Sequence, residues 1–255
     1  MDMKYSFKKR KTPKRGYILA LFFLTVIALL VFLWYEGIII PNASRANEYP
    51  VKGVDVSAYQ GDIDWDHLQR QGLSFAFIKA TEGSSFVDRY FKKNWEYANN
   101  TPLRMGAYHF FSYDSGGDTQ AENFIKTVPI DESALPPVID VEFYGDKEKN
   151  LPDRADVVRE LTVMIDLLEE HYGKRVILYT TNKAYDLFIK DEFQQCDIWI
   201  RDVFQPPSLP DNREWTFWQY TDREKLEGYN GEEKFIDVNV FSGSKQEFAD
   251  YGYKK

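Results

Sequence analysis

Cysteine is almost missing from this chain of 255 residues: Cys196 is the single one, so no intrachain disulfide can form. Its setting, Cys196-Asp197-Ile198-Trp199-Ile200, reads as a strand, where a lone thiol behaves as a small buried hydrophobe. Histidine is scarce too, with three in all and no His/Cys spacing of a metal site. There is no Ser-His-Asp order with a nucleophile elbow and no phosphate loop. Internal repeats and low-complexity segments are also lacking. Positive charge is absent where a nucleic-acid binder would need it. Residues 1–15 hold seven of the 32 basic residues and Asp2; without them the remainder has 25 basic against 39 acidic residues, net −14. Phosphate contacts supply most nucleic-acid affinity, so so acidic a body excludes that class of partner.

What the chain does have begins at Gly16. Residues 16–35 carry no charge, and as a helix they would be about 30 Å long, the thickness of a bilayer's hydrocarbon core. The basic tail of residues 1–15 favours a cytoplasmic N-terminus, and Tyr17, Trp34 and Tyr35 sit where interface aromatics belong. Residues 16–40 are therefore expected to be a transmembrane anchor. A cleaved signal peptide is the alternative, with Ser44-Arg45-Ala46 as a small-residue cleavage site, but signal cores are shorter. Either way the remainder is exported. Residues 41–50 are expected to be a linker, closed by Pro50, in which Asn42-Ala43-Ser44 fits a glycosylation sequon. Residues 51–255 are expected to be one domain.

From Val51 short apolar strands alternate with helices. Strands are expected at Gly53–Val56, Phe75–Lys79, Met105–Phe110, Pro137–Glu142, Val176–Thr180, Asp197–Arg201, Thr216–Tyr220 and Phe235–Phe241. Helices are expected near Trp65–Gln71, Tyr90–Ala98, Thr119–Thr127, Arg154–Tyr172 and Asn182–Ile189. In Arg154–Tyr172, Asp153 is the N-cap, Val157, Leu161, Ile165 and Leu168 make the apolar stripe, and Gly173 is the stop. Alternation of this kind indicates an α/β fold with a parallel sheet, and eight strands with too few helices suggest an incomplete barrel.

Polar residues gather at the strand ends: Asp55, Lys79 with Glu82, His109, Asp140 with Glu142, and Tyr179, Gln219 and Asp237 later on. In a parallel barrel those ends meet at one rim, where active sites form. The central stretch is Val138-Ile139-Asp140-Val141-Glu142. Strand alternation puts Asp140 and Glu142 on one face, roughly 6–7 Å apart. Two such acids raise each other's pKa, so one stays protonated as a general acid while its neighbour is anionic. The competing reading is a solvated strand end with two innocent acids. Asp55 could equally hold a turn through backbone N–H groups, His109 could be a hydrogen-bonded core histidine, and Trp218 could be core packing. Gln219 on a buried strand needs a bonding partner.

Six motifs in order resemble a known family. They are Gly53-Val54-Asp55-Val56-Ser57, Phe77-Ile78-Lys79-Ala80-Thr81-Glu82-Gly83, Gly106-Ala107-Tyr108-His109-Phe110, Val138-Ile139-Asp140-Val141-Glu142, Trp218-Gln219-Tyr220 and Asp237-Val238-Asn239. The set is similar to glycoside hydrolase family 25, lysozymes that cut peptidoglycan glycan chains, over about residues 51–243. The resemblance implies a modified (β/α) barrel of about eight strands with fewer helices, and hydrolysis of the β-1,4 bond from N-acetylmuramic acid to N-acetylglucosamine. It matches Glu142 to the general acid/base and Asp140 to the acid that orients the substrate's acetamido group in a substrate-assisted, retaining route. Asp55 and Asp237 match the other carboxylates of the site; Tyr108, His109, Tyr179, Trp218, Gln219 and Glu82 are expected substrate contacts. No metal or cofactor is implied, and a monomer is expected. The sequence departs from the family at Arg201-Asp202, where a small residue and an aromatic are usual. Two rivals remain: a glycan-binding protein on the same fold that has lost turnover, and a metal-dependent hydrolase using Asp55, His109, Asp140 and Glu142.

Overall fold

The computed structural model describes residues 14–253, and the chain divides into two units between Ile39 and Ile40. The first unit is helix α1, Lys14–Tyr35. Its stretch Gly16–Tyr35 is long and apolar enough to cross a membrane, a property a signal sequence shares. The basic tail expected over residues 1–15 lies outside the described residues, apart from the backbone of Lys14 and Arg15.

The second unit is a closed barrel. Its strands are β1 Lys52–Val56, β2 Phe75–Glu82, β3 Phe86–Val87, β4 Arg104–Phe110, β5 Val138–Val141, β6 Ile177–Thr181, β7 Asp197–Arg201, β8 Phe217–Glu224 and β9 Ile236–Phe241. They run in the order β1-β9-β8-β7-β6-β5-β4-β2, and β1 pairs with β2 to close the ring; β3 only extends the end of β2 as a short hairpin. The barrel neighbours β1, β2 and β4 through β8 pair in parallel, whereas β3 is antiparallel to β2 and β9 is antiparallel to both β8 and β1. Helices are α2 Ala43–Ala46, α3 Trp65–Gln69, α4 Phe91–Ala98, α5 Gly117–Thr127, α6 Arg154–Tyr172, α7 Asn182–Ala184 and α8 Lys245–Asp250. Among the described residues no helix lies between β7 and β8 or between β8 and β9, so helices are fewer than a full (β/α) barrel requires.

The eight expected strands are all present, Asp197–Arg201 with the expected bounds and the others with shifted ends. β2 runs on to Glu82 because Thr81 and Glu82 pair with both β3 and β4, a tertiary contact that local sequence does not announce. β5 stops at Val141, which leaves Glu142 just past the strand end. The helix expected at Asn182–Ile189 is α7 followed by a π-helical turn, Tyr185–Ile189.

Alternation along the strands builds two cores. One fills the barrel: Phe75, Phe77, Val138, Ile177, Trp199, Phe217 and Phe241 point inward, with Phe77 stacked on Trp199 at 4.5 Å. Gly53 and Gly106 make room for them, since a Cβ at either would lie 2.4 Å from the ring of Phe75 or Phe77. The other core lies between the strands' outer faces and the helices. There α6 buries Val157, Leu161, Met164, Ile165 and Leu168. Asp153 caps α6 by accepting from the N–H groups of Ala155 and Asp156, and Gly173 ends it at φ 62°.

The stretch expected to be a linker is folded onto the barrel unit. Ala46 is fully buried, and the Asn42 amide donates to the carbonyls of Asp202 and Tyr220 at 2.9 and 3.3 Å. A run of polar and small residues gives no sign of this, because the partners lie about 160 residues away. The Asn42 nitrogen is buried and in use, so the sequon is closed in the folded chain.

Candidate active site

Above the aromatic fill, the next inward layer of the barrel is polar. β1 brings Asp55, β9 brings Asp237 and Asn239, and β8 brings Gln219 to the same place. Asp55 and Asp237 are directly paired across the antiparallel β1–β9 ladder. The Asp55 Oδ2 accepts from Gln219 Nε2 at 2.9 Å and from Asn239 Nδ2 at 2.7 Å. Behind these amides, Gln219 Oε1 accepts from the Tyr179 hydroxyl at 3.0 Å, and Asn239 Oδ1 accepts from Trp199 Nε1 at 2.8 Å. Gln219 thus has the partners that its burial demanded.

Asp55 also shares a hydrogen bond with Asp237. Burial raises both carboxyls: Asp237 is pushed well up, with the Asp55 charge next, while at Asp55 three donors oppose the burial that still raises it. The proton between them therefore belongs on Asp237, and Asp55 is the acceptor.

The second pair is Asp140 and Glu142. Asp140 is buried at the β5 end and Glu142 just beyond it. Burial pushes Asp140 well above the carboxylate range, and the Glu142 charge adds to this. Glu142 is raised by burial, countered chiefly by Arg201. Such a pair holds one proton near neutral pH. The Asp140 Oδ1 is buried without a hydrogen-bond partner among the described residues. Its backbone carbonyl accepts from the Phe111 N–H at 2.9 Å, which ties the β4 end to the β5 end.

The remaining expected contacts divide. Tyr108 and Tyr179 face the carboxylates, and each hydroxyl is held well above its ordinary pKa by burial first and acidic neighbours second. Glu82 accepts from Lys79 Nζ at 2.7 Å, and that ammonium also lies over the Phe110 ring at 4.8 Å. His109 is not on the wall of the site. It points away from the barrel interior, fully buried, with Nδ1 bonded to Thr81 Oγ1 and Nε2 to Gln120 of α5. Burial lowers its pKa to about 4, so it is a neutral core histidine. Trp218 is likewise turned outward, where Nε1 donates to the Asp202 carbonyl and the ring packs on Tyr49, Trp215 and Tyr220. Both occupy the strand positions that alternate with Tyr108 and Gln219, so the alternation rule applied strictly marks them as outward.

Sequence reasoning did not single out Asn239, Arg201 or Tyr113 as site residues, and it named Lys79 only as a polar strand end. Asn239 and Lys79 share a face with Asp237 and Phe77, a signal that was there to use. Tyr113 comes from the loop after β4, where its ring stacks on Phe143 and Tyr144 and its buried hydroxyl has no hydrogen-bond partner among the described residues. Nothing local in the sequence announces it.

Comparison with known proteins identifies the family. Residues 54–229 match the model of glycosyl hydrolases family 25. The chain belongs to glycosyl hydrolases family 25. It is therefore a glycoside hydrolase. A solved family 25 glycosyl hydrolase from Bacillus anthracis is 65% identical, with a TM-score of 0.78 over 81% of this chain and 95% of that one. Uncharacterized protein YegX from Escherichia coli O6:H1 is 33% identical over 80% of this chain and 74% of its own. Lysozyme M1 from Streptomyces globisporus is 31% identical over 76% of this chain and 68% of its own. The matched span runs from the β1 strand carrying Asp55 past β8, and so takes in the Asp140–Glu142 pair.

Proposed function

We propose that this family 25 enzyme hydrolyses the β-1,4 bond between N-acetylmuramic acid and N-acetylglucosamine in peptidoglycan. The observation that carries the reading is the pair of buried Asp140 and half-buried Glu142, both raised, facing a second acid pair across the mouth of the barrel. Glycoside cleavage passes through a cation-like sugar, which requires one proton donor and negative charge close by. Glu142 delivers the proton it shares with Asp140 to the departing glycosidic oxygen as the C1–O bond breaks. The substrate's acetamido oxygen forms a bond to C1 from the other face, and Asp140 accepts the acetamido N–H hydrogen bond. Glu142, now a carboxylate, takes a proton from water as that water opens the cyclic intermediate, and configuration is retained. Asp55, anionic and held by Gln219 and Asn239, stabilises the positive ring together with Asp237. Tyr108, Tyr179 and Gln219 border the sugar.

The apolar helix supports a location at the cell membrane, with the catalytic unit outside the cytoplasm. Anchoring holds an acidic enzyme near the wall without any attraction of charges. Secretion after cleavage is the other outcome; N-terminal sequencing of the mature protein distinguishes the two. The activity itself is tested by mass spectrometry of digested peptidoglycan. The reading requires N-acetylmuramic acid at the new reducing ends. N-Acetylglucosamine there, or no cleavage at all between pH 4 and 8, would overturn it.

A further inference from the structure

Two cations stand among the acids of the cleft, and they come from different strands. Lys79 ends the inward row of β2 and is tied to Glu82. Arg201 is the last residue of β7; its Nη2 donates to Asp222 Oδ2 on β8 at 2.8 Å, and about a third of its side chain is exposed. Arg201 and Glu142 are walls of one cleft of about 360 Å³, together with Asn182, Lys183 and Phe204. The cleavage steps above do not use Arg201.

We propose that the Arg201–Asp222 ion pair is a positioning device that sets the ionisation of Glu142: the guanidinium favours the carboxylate, and Asp222 both fixes that charge in place and partly cancels it. The inference rests on Glu142 as the acid/base.

The groups facing Glu142 bear this out element by element. β1 offers Asp55, which disfavours a further negative charge, with the protonated Asp237 of β9 behind it. β5 offers Asp140, and the β4 loop and β6 offer the hydroxyls of Tyr113 and Tyr179, which stay protonated. β2 offers Lys79, already bonded to Glu82. Across the cleft, Lys183 is paired with Glu148 at the surface. Asp202 is occupied by the Asn182 amide and the N–H groups of Phe204 and Gln205. What remains to favour the Glu142 anion is Arg201 first and Lys79 second. Arg201 reaches Asp55 and Asp237 as well, so one charge moderates three of the four acids.

Opposite effects follow from removing the two partners. Without Arg201, burial and Asp55 act on Glu142 with less opposition, and its pKa rises. Without Asp222, the guanidinium charge is no longer offset, and the Glu142 pKa falls. A role confined to holding β7 against β8 would produce no such pair of signs.

The test is a carboxyl-carbon NMR titration of the full chain in detergent micelles, with the Glu142 resonance identified by its absence in Glu142→Gln. Arg201→Gln should raise the Glu142 midpoint by about 0.5–1 pH unit, the size expected for a partly exposed unit charge in the same cleft. Asp222→Asn should lower it, and Arg201→Lys should return it toward the wild-type value. The alkaline limb of glycan cleavage should move with each midpoint. Midpoints that stay put, or that move in the same direction in Arg201→Gln and Asp222→Asn, overturn the proposal. Inactivity of the wild type on peptidoglycan would remove the function proposed above, while the titration would still decide this one.

Discussion

Asn239 Nδ2 donates to Asp55 Oδ2 at 2.7 Å, and the same amide accepts from Trp199 Nε1 at 2.8 Å, so one side chain fixes a site carboxylate to the barrel's aromatic fill. Asn239→Ala should leave the buried Trp199 N–H without a partner and take one of three donors from Asp55. Loss of a buried partner costs about 1–3 kcal/mol. Urea unfolding should show a midpoint lowered accordingly, with activity reduced more than the loss of folded protein explains. An unchanged midpoint would mean that water replaces the amide without penalty.

Asp140 makes the stability of the barrel depend on pH in a definite direction. Its folded-state pKa is raised well above the ordinary 3.8, by burial first and Glu142 second. A raised acid contributes stability that is complete below the unfolded value and is lost as pH rises through the folded value. Asp140→Asn mimics the protonated form at every pH. The variant and wild type should therefore melt at similar temperatures near pH 3.5, and the variant should melt higher at neutral pH, although it loses activity. Thermal melts followed by circular dichroism at both pH values check this; a variant less stable at pH 7 contradicts it.

The Asn42 latch predicts that the catalytic unit begins earlier than Val51. Asn42→Ala removes two donations to backbone carbonyls of Asp202 and Tyr220 in a buried place, an expected loss of about 1–3 kcal/mol. A chain starting at Val51 should lose that and the burial of Ala46 as well, and should unfold at lower urea than a chain starting at Ile40. Equal midpoints for the two chains would show that residues 40–50 add nothing.

The fold was legible where alternation and caps were strong. Asp153 and Gly173 bound α6 as its sequence indicates, and each apolar run from Gly53 to Phe241 is a strand. The acids were legible because they end those strands. His109 and Trp218 were misplaced as substrate contacts, since a conspicuous side chain outweighed the face that its strand position assigns. Asn42, Tyr113 and the Arg201–Asp222 pair were not legible as parts of one structure, because each acquires its partners only through barrel closure or loop packing far along the chain.

The central claim is that Glu142 supplies the proton. Its most direct test is the rate at which Glu142→Gln releases reducing ends from purified peptidoglycan, measured beside the wild type at one pH and with equal folded protein. Loss of a general acid/base lowers such rates by about 10²–10⁴-fold, and the account predicts a fall in that range with the melting temperature kept or raised. Cleavage by the variant within a few-fold of wild type would contradict it.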